Sequence, residues 1–491
     1  MKFKLSFYFL LLSLPFLPAQ NTVIWSDSME LDVTTRPITT PRVNLLPDGT
    51  PLFTWGVNGD FINATSQIWC SRLENGSFTT PIAVVNEPHV PLLYGFAGYD
   101  VAVSDSLIFI VFEQSQKGIF LTRSVDGGFS FSSPAVVQGP IPGGYAIFPS
   151  VTIDGTHNPV VSYIQYKDGV STYQLRRSTD GGFNFESSVM GNASTPGAAV
   201  CECCASDLLA SGDSIWLIFR YNNQNLRDIW VSRSTNLSSS YDISTDVDQT
   251  DWNLNVCPIA GPRMARSGDS LITVWMSGAS GTGRVYLSTL NAETMQLGQQ
   301  LSFSSDSNPQ TAQSQSDVAA FGDTIGVVFV EKATDIVFYA STMGANGLEG
   351  QGTRFAIQDH TLQLPSLAFS KGVFHLVYAD ATSGQVIYRQ GILTGNSPLK
   401  EPVSETRIHA IPNPAISNTT MVVEVALNHK GIAHFEILDP AGKSIRKFAF
   451  LVKNIDDQAF SINLNGIPGG VYFLTGNLDG VFLGTEKIIL K

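Results

Sequence analysis

The densest chemistry in this chain is sulfur. Cys201, Cys203 and Cys204 stand in the run Cys201-Glu202-Cys203-Cys204, and Cys257-Pro258 follows, all within 57 residues. A fifth cysteine, Cys70, stands apart. Thiolates so spaced can close disulfides, hold a soft metal such as copper or zinc, or form a redox-active pair. Adjacent and i,i+2 cysteines bridge only with strain, so a disulfide should join Cys257 to Cys201, Cys203 or Cys204. No histidine falls inside the run, which weakens the metal reading.

Position gives the cluster company. Cys201 and Cys257 each lie eleven residues before the glycine of a Gly-Asp turn, Gly212-Asp213 and Gly268-Asp269. They therefore occupy equivalent places in two consecutive units of a repeat. Each unit has a short apolar strand, a turn with Asp-Gly or Gly-Asp, and a second apolar strand. Seven such units begin at Pro41, Tyr99, Pro149, Ser206, Gly261, Asp317 and Pro365. Third strands follow, as in Ile229 to Arg233 and Ile336 to Ala340.

A period of roughly fifty residues with three or four strands per unit predicts an all-β chain whose units are β-propeller blades. The count favours seven blades, with six as the alternative. The seventh unit ends near Leu393 without a fourth strand, which Thr22 to Leu31 could supply. In a propeller, loops that lead into the innermost strands rim one mouth of the channel, and loops after the second strands open on the same face. Arg220, Tyr221, Asn222 and Trp252 should thus meet the cysteines there, as candidate binding residues.

Bulk properties narrow the partners. The chain has 491 residues, 43% of them hydrophobic and 14% charged, with a formal net charge of -13. An acidic chain without a Lys/Arg-rich run disfavours nucleic acid. Residues 1–20 read as a secretory signal peptide: Lys2 and Lys4 precede an apolar run, and Ala19 offers a small residue for cleavage. No later apolar run is long enough for a transmembrane segment. The mature protein is expected to be secreted or held on the outer cell surface, via the periplasm.

Two turns carry a sharper pattern. Ser124, Asp126, Gly128 and Phe131, and again Ser178, Asp180, Gly182 and Phe185, both spell S-x-D-x-G-x-x-F. Asn75-Gly76-Ser77-Phe78 looks like a degraded copy. The pattern resembles the Asp-box of sialidase-like propellers, over residues 21–395. In that family the Asp-box is structural: the carboxylate accepts backbone N–H groups across a hairpin and glycine supplies a permissive φ.

Residues 396–407 form a linker. Beyond it, Ile411-Pro412-Asn413-Pro414, the strand Gly470-Val471-Tyr472-Phe473-Leu474 and the terminal Lys487-Ile488-Ile489-Leu490-Lys491 resemble the type A sorting domain of type IX secretion, over 408–491. This implies a small C-terminal β-sandwich, the type IX secretion machinery as partner, and removal of the domain on export.

The cysteine run resembles a subgroup of sialidase-like propellers in which C-x-C-C precedes an inner strand. There an Arg-Asn pair ends the next strand, R-D opens the third, and W-x-x-x-x-C-P leads into the next blade. Here these are Arg220 with Asn222, Arg227-Asp228, and Trp252 with Cys257-Pro258, although Tyr221 separates Arg220 from Asn222. A sialidase also needs three arginines to clamp a carboxylate, a Tyr–Glu nucleophile pair and an acid/base Asp. Arg42, Arg220, Arg263 and Arg284 are candidate clamps, and Tyr221 and Tyr378 candidate nucleophiles. Val43-Asn44 after Arg42 departs from the family's Ile-Pro. The expectation is a glycan-binding propeller, with an exo-sialidase-like glycoside hydrolase and an adhesion scaffold as alternatives.

Overall fold

The computed structural model describes residues 22–31, 38–58, 66–74, 76–104, 107–303, 310–348, 352–394, 408–416, 419–427, 431–439, 444–452, 456–478 and 481–491. The expected signal peptide, the expected linker and Asn75 lie outside them. Two units fold separately, Gln20–Thr394 and a C-terminal one from Gly395 to Lys491. No helix among the described residues is long and apolar enough to cross a membrane.

The first unit is a seven-bladed β-propeller, each blade one antiparallel sheet. The innermost strands, in blade order, are Ile38–Leu45, Tyr99–Ser104, Gly144–Ile153, Asp207–Ser211, Arg263–Ser267, Gln313–Phe321 and Leu362–Ser370. Each lies against the next, and the last lies against the first. Second strands such as Leu107–Gln114 and Thr324–Glu331 are covered on both faces, so they read as continuous apolar runs rather than alternating ones. A separate apolar cluster fills every junction. Phe53, Trp55, Val377 and Tyr388 fill the junction of seventh and first blades, which closes the ring.

The N-terminal segment completes the seventh blade. Thr22–Trp25 and Met29–Leu31 both pair antiparallel with Gln385–Thr394, with Trp25 opposite Gly391 and Met29 opposite Tyr388. Trp25 meets Phe338 and Phe355 of the sixth blade edge-on, at 4.9 and 5.1 Å. Closure thus joins the two ends of the unit within one blade, and the outer edges left are those of the short outermost strands.

The turns with the S-x-D-x-G-x-x-F pattern lie at the far end from the mouth, between third and fourth strands. Asp126 Oδ1 accepts from the Phe129 and Ser130 amides at 3.0 Å, and Ser124 Oγ accepts from the Gly128 amide at 2.9 Å. Asp180 and Ser178 repeat the arrangement. Gly128 and Gly182 have φ of 90° and 89°, where a side chain would be strained. Arg72 of the first blade lies over the Phe129 ring and donates to Gly127 O, and Arg123 does the same to Phe183 and Gly181 O, so each turn also ties two blades together. A third copy, Ser234-Thr235-Asn236-Leu237-Ser238, keeps the geometry with asparagine for aspartate and serine for glycine.

The C-terminal unit is two antiparallel sheets around one core. One holds His409–Ile411, Thr420–Leu427 and Asp456–Asn463; the other holds Ser444–Val452, Gly431–Leu438, Gly470–Leu478 and Val481–Leu490. Asn413 Nδ2 donates to Lys487 O at 2.7 Å, and its Oδ1 accepts from the Ile489 amide. The Pro-Asn-Pro segment is therefore stitched to the terminal strand.

Candidate functional site

Seven residues at matching positions on the innermost strands form a polar ring: Arg42, Asp100, Ser150, Asp207, Arg263, Asp317 and Ser366. In four blades a bulge just before this position breaks the register, with Thr40, Phe148, Gln315 and Leu364 at positive φ. Bulges re-aim side chains, and here they stand immediately upstream of the ring residue. Several ring members also clasp the next blade. Asp100 Oδ2 accepts from the Ser150 hydroxyl and the Val151 amide at 2.7 and 3.0 Å. Asp207 Oδ2 takes the Met264 amide and Asp317 Oδ2 the Leu367 amide, both at 2.9 Å.

Arg42 and Arg263 are shared between two cavities. On the lead-in side is a mouth of about 240 Å³, lined also by Phe96 and the Pro258–Pro262 loop. Inside it lies a channel segment of about 400 Å³ that contains the three ring aspartates. Burial and the neighbouring Arg263 guanidinium lower the Arg42 pKa, and Arg42 Nε has no hydrogen-bond partner among the described residues. Arg263 approaches Asp207 at 3.8 Å, while burial pushes the Asp207 carboxyl up to about 6. Two guanidiniums are thus offered to the mouth.

The expected Arg220 clamp is corrected. Arg220 is wholly buried and turned inward, giving Nε to Ala260 O, Nη1 to Arg227 O and Nη2 to Met276 O at 2.7–3.0 Å. A guanidinium with three backbone carbonyls already bound is structural. Tyr221 is buried and donates to Pro196 O, and Trp252 is buried beneath Arg220 and against Gly278. Neither offers a free face to a ligand. Asn222 is half-buried on the same loop. Arg284 opens a third strand opposite Ser277 and lines neither the mouth nor the channel. Tyr378 is buried with its hydroxyl bound by Arg389, so it is no nucleophile.

Two aromatic features escaped the sequence reading. Tyr94 donates its hydroxyl to Glu113 Oε1 at 3.1 Å, and Glu113 Oε2 faces the Phe148 amide at 3.4 Å. Burial raises Glu113 to about 7, and burial together with Glu113 raises Tyr94. This is a Tyr–Glu pair on the loop face, two residues from Phe96 of the mouth. Glu113 ends the second strand of its blade, the position whose loop should open on that face, so that rule could have found it. The second feature is Tyr145 stacked on Tyr166, centroids 5.0 Å apart and planes at 15°. Tyr145 is 44% exposed. Burial, then Tyr166 and Glu202, raise the Tyr145 hydroxyl pKa.

The cysteines converge as expected. Cys203 and Cys257 form a disulfide across the fourth and fifth blades, with Cα atoms 6.3 Å apart. Cys201, Cys204 and the remote Cys70 are free and buried. All four cluster sulfurs lie within 4.8 Å of one another, a spacing that a fully reduced cluster would share with a thiolate metal site. The disulfide anchors the Pro258–Pro262 wall of the mouth. Behind it, Asp228 and Asp246 are raised to about 7 by burial.

No family model matches the chain, and no curated protein is similar to it in sequence. Solved structures similar to it include the Hadza microbial sialidase Hz136, with 13% identity over 64% of this chain and 67% of that one and a TM-score of 0.43. The polysaccharide lyase Uly1 has 10% identity over 74% and 91%, with a TM-score of 0.46. A Trypanosoma rangeli sialidase has 8% identity over 95% and 89%, with a TM-score of 0.44. At such identities the site has to be read from this chain's own residues.

Proposed function

We propose that this is a secreted or cell-surface protein that binds carbohydrate across the loop face of its propeller. The observation that carries the reading is the exposed Tyr145, stacked on the half-buried Tyr166, on a face whose central mouth ends in the Arg42 and Arg263 guanidiniums. Tyrosines give a sugar an apolar face with a polar tip, and guanidiniums suit hydroxyl or carboxylate oxygens. A glycan array probed with the full mature chain tests it. Binding to a defined set of glycans supports the reading, and uniform silence rejects it.

Export rests on residues 1–20 and on 408–491 as a type IX sorting domain. Deleting 408–491 should leave the protein in the periplasm, and unchanged surface delivery would refute that route.

The Tyr94–Glu113 hydrogen bond favours a second reading, glycoside hydrolysis with Tyr94 as nucleophile and Glu113 as its base. The raised Tyr94 pKa means proton transfer must accompany attack. Turnover of a fluorogenic sialoside, abolished in Tyr94→Phe, would support it, and no turnover by the wild type would dismiss it.

A further inference from the structure

The four cysteines sort into two pairs. Cys203 and Cys257 are bonded and partly exposed, whereas Cys201 and Cys204 are fully buried behind them. Cys201 Sγ lies 3.6 Å from Cys203 Sγ and 3.3 Å from Cys204 Sγ. It touches one sulfur of the bonded pair on one side and a thiol that could resolve it on the other. Arg227 Nη1 donates to Cys201 Sγ at 3.0 Å, and Arg227 is itself fixed by Leu254 O and by its own amide on Trp252 O. A guanidinium so placed favours the thiolate.

We propose that these cysteines form a thiol–disulfide relay: Cys201 attacks the Cys203 sulfur, Cys204 resolves the intermediate, and one disulfide moves between the exposed pair and the buried pair. In the first step the Cys201–Cys203 bond forms and the Cys203–Cys257 bond breaks. The electron pair leaves on Cys257, which takes up a proton from solvent. In the second step Cys204 gives up its proton and attacks Cys201. The Cys201–Cys204 bond forms, and the electron pair leaves on Cys203. The exchange consumes no oxidant. The i,i+2 bridge is the strained member of the sequence, which makes it a transient rather than a resting state.

The ionisation pattern agrees with these roles. The hydrogen bond with the Cys204 thiol, and then the Arg227 guanidinium, lower the Cys201 pKa against the opposing effect of burial. Burial and Cys201 keep Cys204 protonated. The attacking sulfur is the more readily ionised of the two, and the resolving sulfur is the more reluctant.

The exposed dithiol left on Cys203 and Cys257 can then reduce a low-molecular-weight disulfide outside the protein. Two electrons pass outward, the external disulfide becomes two thiols, and Cys203–Cys257 is restored. The end state has two disulfides, and the buried pair has been oxidised without itself meeting the reagent.

The test uses the full mature chain, purified without reductant and incubated with oxidised glutathione. Alkylation after denaturation, with peptide mapping, then identifies free and bonded cysteines. The relay predicts that Cys201–Cys204 appears beside Cys203–Cys257 and that Cys70 alone remains a thiol. Cys203→Ser should slow oxidation of the buried pair at least roughly tenfold, because a buried thiol reacts only on local opening. Cys204→Ser keeps the cross-blade disulfide and so the fold; it should trap Cys201 bonded to Cys203, with Cys257 capped by glutathione. The proposal is overturned if wild-type Cys201 and Cys204 stay free, if Cys203→Ser oxidises as fast as wild type, or if Cys204→Ser gives no trapped species. It is also overturned if the purified protein carries one zinc or copper ion on four reduced cysteines.

Discussion

Glu113→Gln is expected to remove a pH-dependent loss of stability. Glu113 is 4% exposed and, among the described residues, its carboxylate meets the Tyr94 hydroxyl and the Phe148 amide, so burial lifts its pKa from 4.5 to about 7. Between those values the native protein keeps a proton that the unfolded chain has released. The unfolded state then binds fewer protons, and stability falls as pH rises. The contribution is nil below about 4.5 and saturates above about 7. Each pH unit of that window is worth about 1.4 kcal/mol, which gives a loss of roughly 3 kcal/mol by pH 8. Asp207, Asp228 and Asp246 push the wild-type profile in the same direction, so the informative quantity is the difference between variant and wild type. Urea unfolding at pH 5 and pH 8 measures it. All seven tryptophans lie between Trp25 and Trp275, so their fluorescence follows the propeller alone. The Gln variant should lose roughly 2.5 kcal/mol less than wild type between the two pH values, because part of the window already lies below pH 5. Parallel profiles would refute the assignment of a buried, protonated Glu113.

Other substitutions probe separate parts of the structure. Arg220→Ala should cost about 3–5 kcal/mol, because three buried carbonyls lose a charged partner, and wild-type thermal stability in that variant would show that Arg220 is not the structural bolt described. Trp25→Ala should destabilise ring closure by about 3 kcal/mol in urea melts, with no change in the C-terminal unit. Asp126 is held at about 2 by hydrogen bonds from Ser124, Ser130 and Phe129 that outweigh the effect of burial. Its stabilising effect is therefore present above the unfolded carboxylate range and is lost as pH falls toward 2. Asp126→Ala should lower the melting temperature at pH 7 and converge with wild type in strong acid.

Much of the scaffold was legible because its signals are local. Gly-Asp turns, apolar second strands and the roughly fifty-residue period each follow from blade geometry, and so does the borrowed strand from Thr22 to Leu31. Cys257 was legible as the cross-blade partner because adjacent and i,i+2 bonds within the Cys201–Cys204 run are strained, although only the structure selects Cys203. The site was less legible. An arginine on a blade strand reads the same whether its guanidinium faces the channel, as that of Arg42 does, or three carbonyls, as that of Arg220 does. The Tyr94–Glu113 pair is brought together by the second strand of the blade and the segment leading into its innermost strand, with no motif to announce it. The third copy of the turn was hidden because asparagine stands for aspartate and accepts the Ser240 amide, and Ser238 adopts the positive φ that glycine takes elsewhere.

The most direct test of a carbohydrate-binding loop face is a crystal structure of the chain with a glycan selected on the array, paired with calorimetry on Tyr145→Ala/Tyr166→Ala. Sugar density is predicted against Tyr145 and Tyr166 and toward Arg42 and Arg263, with affinity falling roughly tenfold or more in the double variant. Glycan bound away from this face, or at unchanged affinity without the two tyrosines, would contradict the account.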